Sequence, residues 1–151
     1  MDEERPYIAE NARELDRMRR IAEDSDDETL RFPVNEYWTV AGVLGHIAFW
    51  DARMLSLMDK MDRGEPFAGS DTEAEDVDWI NDASRELIHA VPVRQLAEVS
   101  LRIAGETDER VKTLPLDRLA PADPNSPLYA VRAEHRGEHL DEVEAALRAR
   151  G

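Results

Sequence analysis

The chain contains no cysteine, so disulfides and thiolate metal ligands are excluded, and a reducing, cytoplasmic setting is the natural expectation. Lysine is nearly absent too: of 19 basic residues, 17 are arginine, and only Lys60 and Lys112 are lysine. Aromatic residues make up 6% of the chain, and no apolar run approaches the roughly 20 residues that cross a membrane. The opening Met1–Pro6 is acidic and polar and does not read as a signal peptide. Strand-type alternation, internal repeats and a domain-dividing linker are also missing, which excludes a sheet protein and leaves one domain over residues 1–151.

What is abundant is negative charge: 34 acidic residues give a net charge of -15. Such a surface repels phosphate backbones and anionic lipid, so neither nucleic acid nor membrane is an expected partner. At this length about two thirds of the unfolded surface can be buried, so no covalent staple is needed.

Apolar residues recur at helical spacing in four regions. Residues 6 to about 24 put Ile8, Ala12, Leu15, Met18 and Ala22 on one face, after a first-turn Pro6. Acid-rich Glu23 to Glu28 ends that helix, and a loop with Pro33 follows. Thr39 is a plausible N-cap for a helix to about Arg63, with Val43, Ile47, Trp50, Met54, Leu57 and Met61 as its stripe and Gly64 as its stop. A third helix falls in two pieces. Asp76 or Asp78 starts the first, which runs through Val91 with Trp79, Ile80, Ala83 and Leu87, and Pro92 opens the second, which runs to about Leu114. Ser126 followed by Pro127 reads as the start of a last helix to about Ala149, carrying Leu128, Val131, Val143 and Ala146 on one face. Residues 64–75 and 115–126 read as loops. The expected fold is all-α, a four-helix bundle.

Three of the four histidines fall on the apolar stripes. His46 has Val43 and Trp50 one turn away on either side. His135 and His139 are four apart and stand one turn, roughly 6 Å, above each other in the direction of Leu128 and Val131. Burying three unpaired imidazoles in one core is costly, and a shared metal ion removes the cost. Three neutral nitrogens with one open position describe a catalytic type of site; zinc is the default, while nickel, iron and manganese suit the same ligands. The bland alternative is three separately satisfied histidines. His135-x-x-Glu138-His139 also matches the inverted zinc-peptidase pattern, but those enzymes take a downstream glutamate as third ligand, and only 12 residues follow His139; Glu138 reads as a solvated acid. His89 reads as a boundary histidine rather than a fourth ligand. Asp51 reads as a surface acid, with an outer-shell partner as the alternative. Trp38, Trp50 and Trp79 read as core or subunit interface.

Trp38-Thr39-Val40 leading into Leu44-Gly45-His46-Ile47 and Trp50-Asp51, followed by the His135-x-x-x-His139 pair in the last helix, resembles the DinB/YfiT-like family of four-helix bundle proteins. Helix order and length extend the likeness over nearly the whole chain. The resemblance implies an up-down-down-up bundle, a three-histidine metal site that matches His46, His135 and His139, and a homodimer. The surplus of apolar side chains on the second helix, including Leu44, Phe49, Leu55 and Met58, adds to the dimer expectation. Some members of that family are metal-dependent transferases or isomerases that use low-molecular-weight thiols such as mycothiol or bacillithiol.

Two functions follow as expectations. One is a metal-dependent enzyme, a thiol S-transferase, isomerase or hydrolase, acting on a small-molecule substrate, with Arg53, Arg132 and Arg136 near the histidines in sequence and no catalytic residue assigned. The other is a non-catalytic metal-binding or stress-response dimer; a plain helical interaction protein is a third, blander reading.

Overall fold

The computed structural model describes residues 5–65, 74–115 and 128–151, with side chains of 74–76 left aside. Six α-helices account for the regular structure of the described residues, and no strand occurs among them. They are α1 (Tyr7–Asp24), α2 (Asp27–Leu30), α3 (Val40–Asp62), α4 (Ala74–Ala90), α5 (Val93–Thr113) and α6 (Arg132–Arg150). α1, α5, α3 and α6 neighbour one another in a ring, while α4 packs chiefly on α3 from outside and α2 on α5 and α3.

α3 packs on α5, α4, α6 and α2. Its N-cap is the expected one: the Thr39 hydroxyl accepts from the Gly42 N–H at 2.9 Å. Every residue from Val40 to Ala48 is buried, so its first half is apolar all round rather than amphipathic. Gly64 follows the helix at φ +72°, the left-handed position where glycine is favoured. Two glycines let neighbours come unusually close. A Cβ on Gly42 would sit 2.3 Å from His89 Nε2 of α4, and one on Gly45 would sit 2.7 Å from Ile88 and 2.8 Å from Leu96.

The structure departs from the sequence expectations in five places. The buried face of α1 is Tyr7, Asn11, Met18 and Ala22, whereas Ala12 is exposed. The face turns because Asn11 donates to Ala130 O and accepts from the Ala133 N–H, both at 2.9 Å, which satisfies a polar side chain inside the core. The acid-rich stretch after α1 is not all loop: Asp26 caps the one-turn α2 by accepting from the Thr29 N–H at 2.8 Å, and α2 buries Leu30. Pro92 separates α4 and α5 into two independent helices rather than two pieces of one. α6 begins at Arg132, because residues 128–131 are not helical; the expected Ser126–Pro127 start lies outside the described residues, as do most of the loops expected over 64–75 and 115–126. Leu44 and Met58 are fully buried within the chain, so they are not spare surface for a dimer, whereas Trp79 and Leu87 of α4, placed on an apolar stripe by their spacing, are 60% and 75% exposed.

The core is divided in two. One apolar cluster gathers Met18, Leu30, Val43, Leu44, Ile47, Ala104 and Leu140. The other holds Tyr7, Met54, Met58, Val111, Leu114 and Leu128. Between them in the order of each helix lie Asn11 of α1, Asp51 of α3, Asp108 of α5 and Arg136 of α6, all buried. No helix of the described residues is long and apolar enough to cross a membrane.

Candidate metal centre

α3 contributes His46 from its fully buried half, and α6 contributes His135 and His139 from successive turns. The structure brings the three together. His46 Nε2 and His139 Nε2 are 3.1 Å apart, and one potential ligand atom from each histidine lies within 4.8 Å of the others. The ring centroids are 4.6 Å apart for His46 and His139, 4.7 Å for His135 and His139, and 5.3 Å for His46 and His135. Zinc–nitrogen bonds of about 2.0–2.1 Å in a tetrahedron put ligand nitrogens about 3.3 Å apart, so the donor set fits one ion after a small contraction.

The protonation pattern points the same way. Burial, with the charges of His139 and Arg85 adding to it, pushes the His46 imidazole down to about 3. Burial also holds His135 well below its ordinary range, helped by His139, His46, Arg132 and Arg136. His139 is lowered by burial, against the opposing pull of Glu142 and Glu138. All three are therefore neutral at pH 7 and hold lone pairs, as metal ligation requires. The two facing Nε2 atoms can share one proton, yet the buried Nδ1 atoms of His46 and His135 have no hydrogen-bond partner among the described residues. Three converging imidazoles with orphaned nitrogens are poorly satisfied as an apolar core and well suited to a cation. Glu142 lies 3.8 Å from His139 Nδ1, close enough to favour the tautomer whose Nε2 lone pair faces the group.

The surroundings separate residues that nearness in sequence could not. Trp38 covers His46, with ring centroids 5.0 Å apart. His89 lies against the same tryptophan at 5.3 Å, accepts from the Thr39 N–H at 3.4 Å and stays outside the histidine group. Glu138 is exposed. Trp50 is half-buried and donates to Asn81 of α4 at 2.8 Å. Arg53 lies over the Trp50 ring.

Asp51 is not a surface acid. It is fully buried, accepting from Arg132 Nε at 2.8 Å and from Arg136 Nη2 at 3.0 Å. Arg136 also meets Asp108 at 2.8 Å and 3.0 Å. Burial acts against the Arg136 charge, but Asp51 and Asp108 more than offset it and raise its pKa. Arg132 and Arg136 are thus committed to carboxylates of this protein rather than held out for a substrate. The sequence signal was present as two arginines at i,i+4, three positions before the histidine pair, but the carboxylate they share, Asp51, is 81 and 85 residues away.

An all-helical chain with three imidazoles gathered in this way fits a metal-dependent kind of enzyme. The chain belongs to the DinB superfamily, whose family model matches residues 10–143. No curated protein and no solved structure gives a significant match.

Proposed function

We propose that the protein is a metal-dependent enzyme in which His46, His135 and His139 hold one divalent ion, zinc as the default and nickel, iron or manganese as alternatives. The observation that carries this reading is the approach of one nitrogen from each of three neutral imidazoles to within 4.8 Å across α3 and α6. The ion supplies a position at which a thiol or water is held in its deprotonated form at neutral pH. The finer reading is S-transfer, in which a low-molecular-weight thiol of the mycothiol or bacillithiol type loses its proton, forms a C–S bond at a small electrophile and expels that carbon's leaving group as an anion, or isomerisation, in which the thiol adds to a substrate double bond and is released again. His46, His135 and His139 orient that thiol, and Trp38 keeps water from the His46 side. His139 is the more open side of the group, with 23% of its side chain exposed, and is the side from which small molecules arrive.

An up-down-down-up bundle is supported by several pairings. Gly45 abuts Leu96 and Asp51 O accepts from Thr107, so α3 and α5 run the same way. Asn11 pairs with Ala133, and Arg17 with Asp141 and Glu144, so α1 and α6 run the same way. His46 faces His139 while Asp51 faces Arg132, so α3 and α6 are opposed. We propose a cytoplasmic homodimer whose contact includes the exposed apolar side chains Trp79 and Leu87 of α4.

The test uses protein purified without a histidine tag. Metal content by mass spectrometry is expected at one ion per chain. His46→Ala, His135→Ala and His139→Ala should each weaken binding by more than the roughly 10–100-fold of an outer-shell change, while His89→Ala leaves it unchanged. Wild type that takes up no metal at neutral pH ends the proposal. Metal uptake without consumption of either thiol in the presence of small alkyl or aryl halides favours a non-catalytic metal-binding or stress-response dimer instead.

A further inference from the structure

α1, α3 and α5 send Asn11, Asp51 and Asp108 into the layer that divides the core, α6 sends both Arg132 and Arg136, and the charges in that layer balance. Arg132 and Arg136 are the cations, Asp51 and Asp108 the anions, and none is more than about a tenth exposed. Arg136 donates in addition to Asn11 O of α1 at 3.2 Å and to Ala104 O of α5 at 3.3 Å. The two oxygens of Asp51 are divided between successive turns of α6: Oδ1 takes Arg132, and Oδ2 takes Arg136.

That division has a geometric result. α3 and α6 run in opposite directions, and the histidine contact and the carboxylate contact are two points on the same pair of helices. Along α3, His46 to Asp51 is five residues, about 7.5 Å of rise. Along α6, His139 to the midpoint of Arg132 and Arg136 is also five residues, again about 7.5 Å. When Asp51 is centred between its two arginines, His139 is brought level with His46. A slip of one turn, about 5.4 Å, would leave Asp51 at most one of its two arginines and would undo the grouping of His46 with both His135 and His139.

We infer that Asp51 is the positioning residue of the three-histidine group: its carboxylate, shared between Arg132 and Arg136, sets the register of α6 on α3 and so the spacing of His46 from His135 and His139. This rests on the reading of that group as a metal centre. Asp108 is the built-in control. It binds the same Arg136 with equally short contacts, but from α5, which carries no histidine of the group. Loss of Asp108 removes a buried ion pair without releasing α6 from α3.

The experiment titrates cobalt(II) into wild type, Asp51→Asn and Asp108→Asn, with urea unfolding run in parallel to establish that each is folded. Asp51→Asn is expected to weaken cobalt binding about 10–100-fold and to change the cobalt d–d spectrum. Asp108→Asn is expected to lose stability while its folded form keeps wild-type affinity and spectrum. If Asp51→Asn does not fold, Arg132→Gln removes only the Oδ1 limb and should shift affinity and spectrum in the same direction. A second arm uses metal-free protein: long-range proton–nitrogen spectra of the imidazoles should move at His46, His135 and His139 in Asp51→Asn and stay in place in Asp108→Asn. Equal loss in both variants, or no change in Asp51→Asn, or in Arg132→Gln where that variant substitutes for it, overturns the inference. Wild type that binds no cobalt overturns the metal reading alone, and the spectra of the metal-free variants then decide the register claim.

Discussion

At the scale of single residues, local chemistry explains what was readable and what was not. Thr39 was identifiable as a cap because a hydroxyl before an apolar helix has few other uses, and His46, His135 and His139 stood out as polar groups on apolar stripes. Asn11 and Asp51 escaped because their partners lie on α6 or just before it, more than 80 residues away in each case, and nothing beside them in the chain announces burial. The glycines of α3 have unequal consequences. Gly45→Ala places a methyl against Ile88 and the buried Leu96, so overpacking of about 1–3 kcal/mol outweighs the gain of about 1 kcal/mol in helix propensity. Gly105 of α5 has nothing near its missing Cβ, and Gly105→Ala should stabilise by up to about 1 kcal/mol. Urea denaturation of the two variants should therefore move in opposite directions; a stabilised Gly45→Ala would show that α4 and α5 are free to retreat from α3.

At the scale of elements, helix interiors followed from periodicity, while ends and pairings depended on the rest of the molecule. α3 matched its expected span within a residue, since cap, stripe and stop glycine agree. α6 did not start where Ser126 and Pro127 suggest, because residues 128–131 form a non-helical segment that buries Leu128 and Ala130 and supplies Ala130 O to Asn11. α1 ends where Arg94 of α5 donates to Ala22 O at 2.8 Å and Ser25 O at 2.6 Å, covering carbonyls that the helix leaves open. The one-turn α2 starts on the Asp26 cap, with Arg94 reaching the Asp27 carboxylate at 3.4 Å. Asp26→Ala should destabilise the chain, read as a lowered urea midpoint with an unchanged slope. Arg136→Met should be far more damaging, about 3–5 kcal/mol, because it leaves Asp51 and Asp108 buried with one counter-charge fewer.

At the scale of the whole molecule, charge and protonation govern behaviour. In metal-free protein the three site histidines have folded pKa values below the ordinary 6.5, with His46 near 3, so the unfolded chain takes up protons first as pH falls. Stability from these groups is complete above about 6.5 and is lost progressively as pH drops toward the folded values, at roughly 1.4 kcal/mol per pH unit for each fully shifted histidine. Carboxylates hardly titrate above pH 5, so between pH 7 and 5 the histidines dominate. Replacing all three by Gln should flatten that slope in urea titrations, and an unchanged slope would mean that they are not desolvated. It also follows that protons compete with a metal in the folded site at lower pH than the ordinary histidine value suggests. The dimer proposal is checked by light scattering, where Trp79→Ser with Leu87→Ser should halve the mass of the wild-type species; a wild-type monomer at micromolar concentration would remove it. The buried polar layer also bears on how fast the chain folds. The bundle is complete only when two buried arginines and two buried aspartates have lost their water. Desolvating those charges costs free energy that apolar side chains do not, so exchanging the four for apolar residues of similar volume should speed refolding and raise stability in stopped-flow and equilibrium measurements. The natural sequence accepts a slower route to a structure in which the helices can stop at only one position.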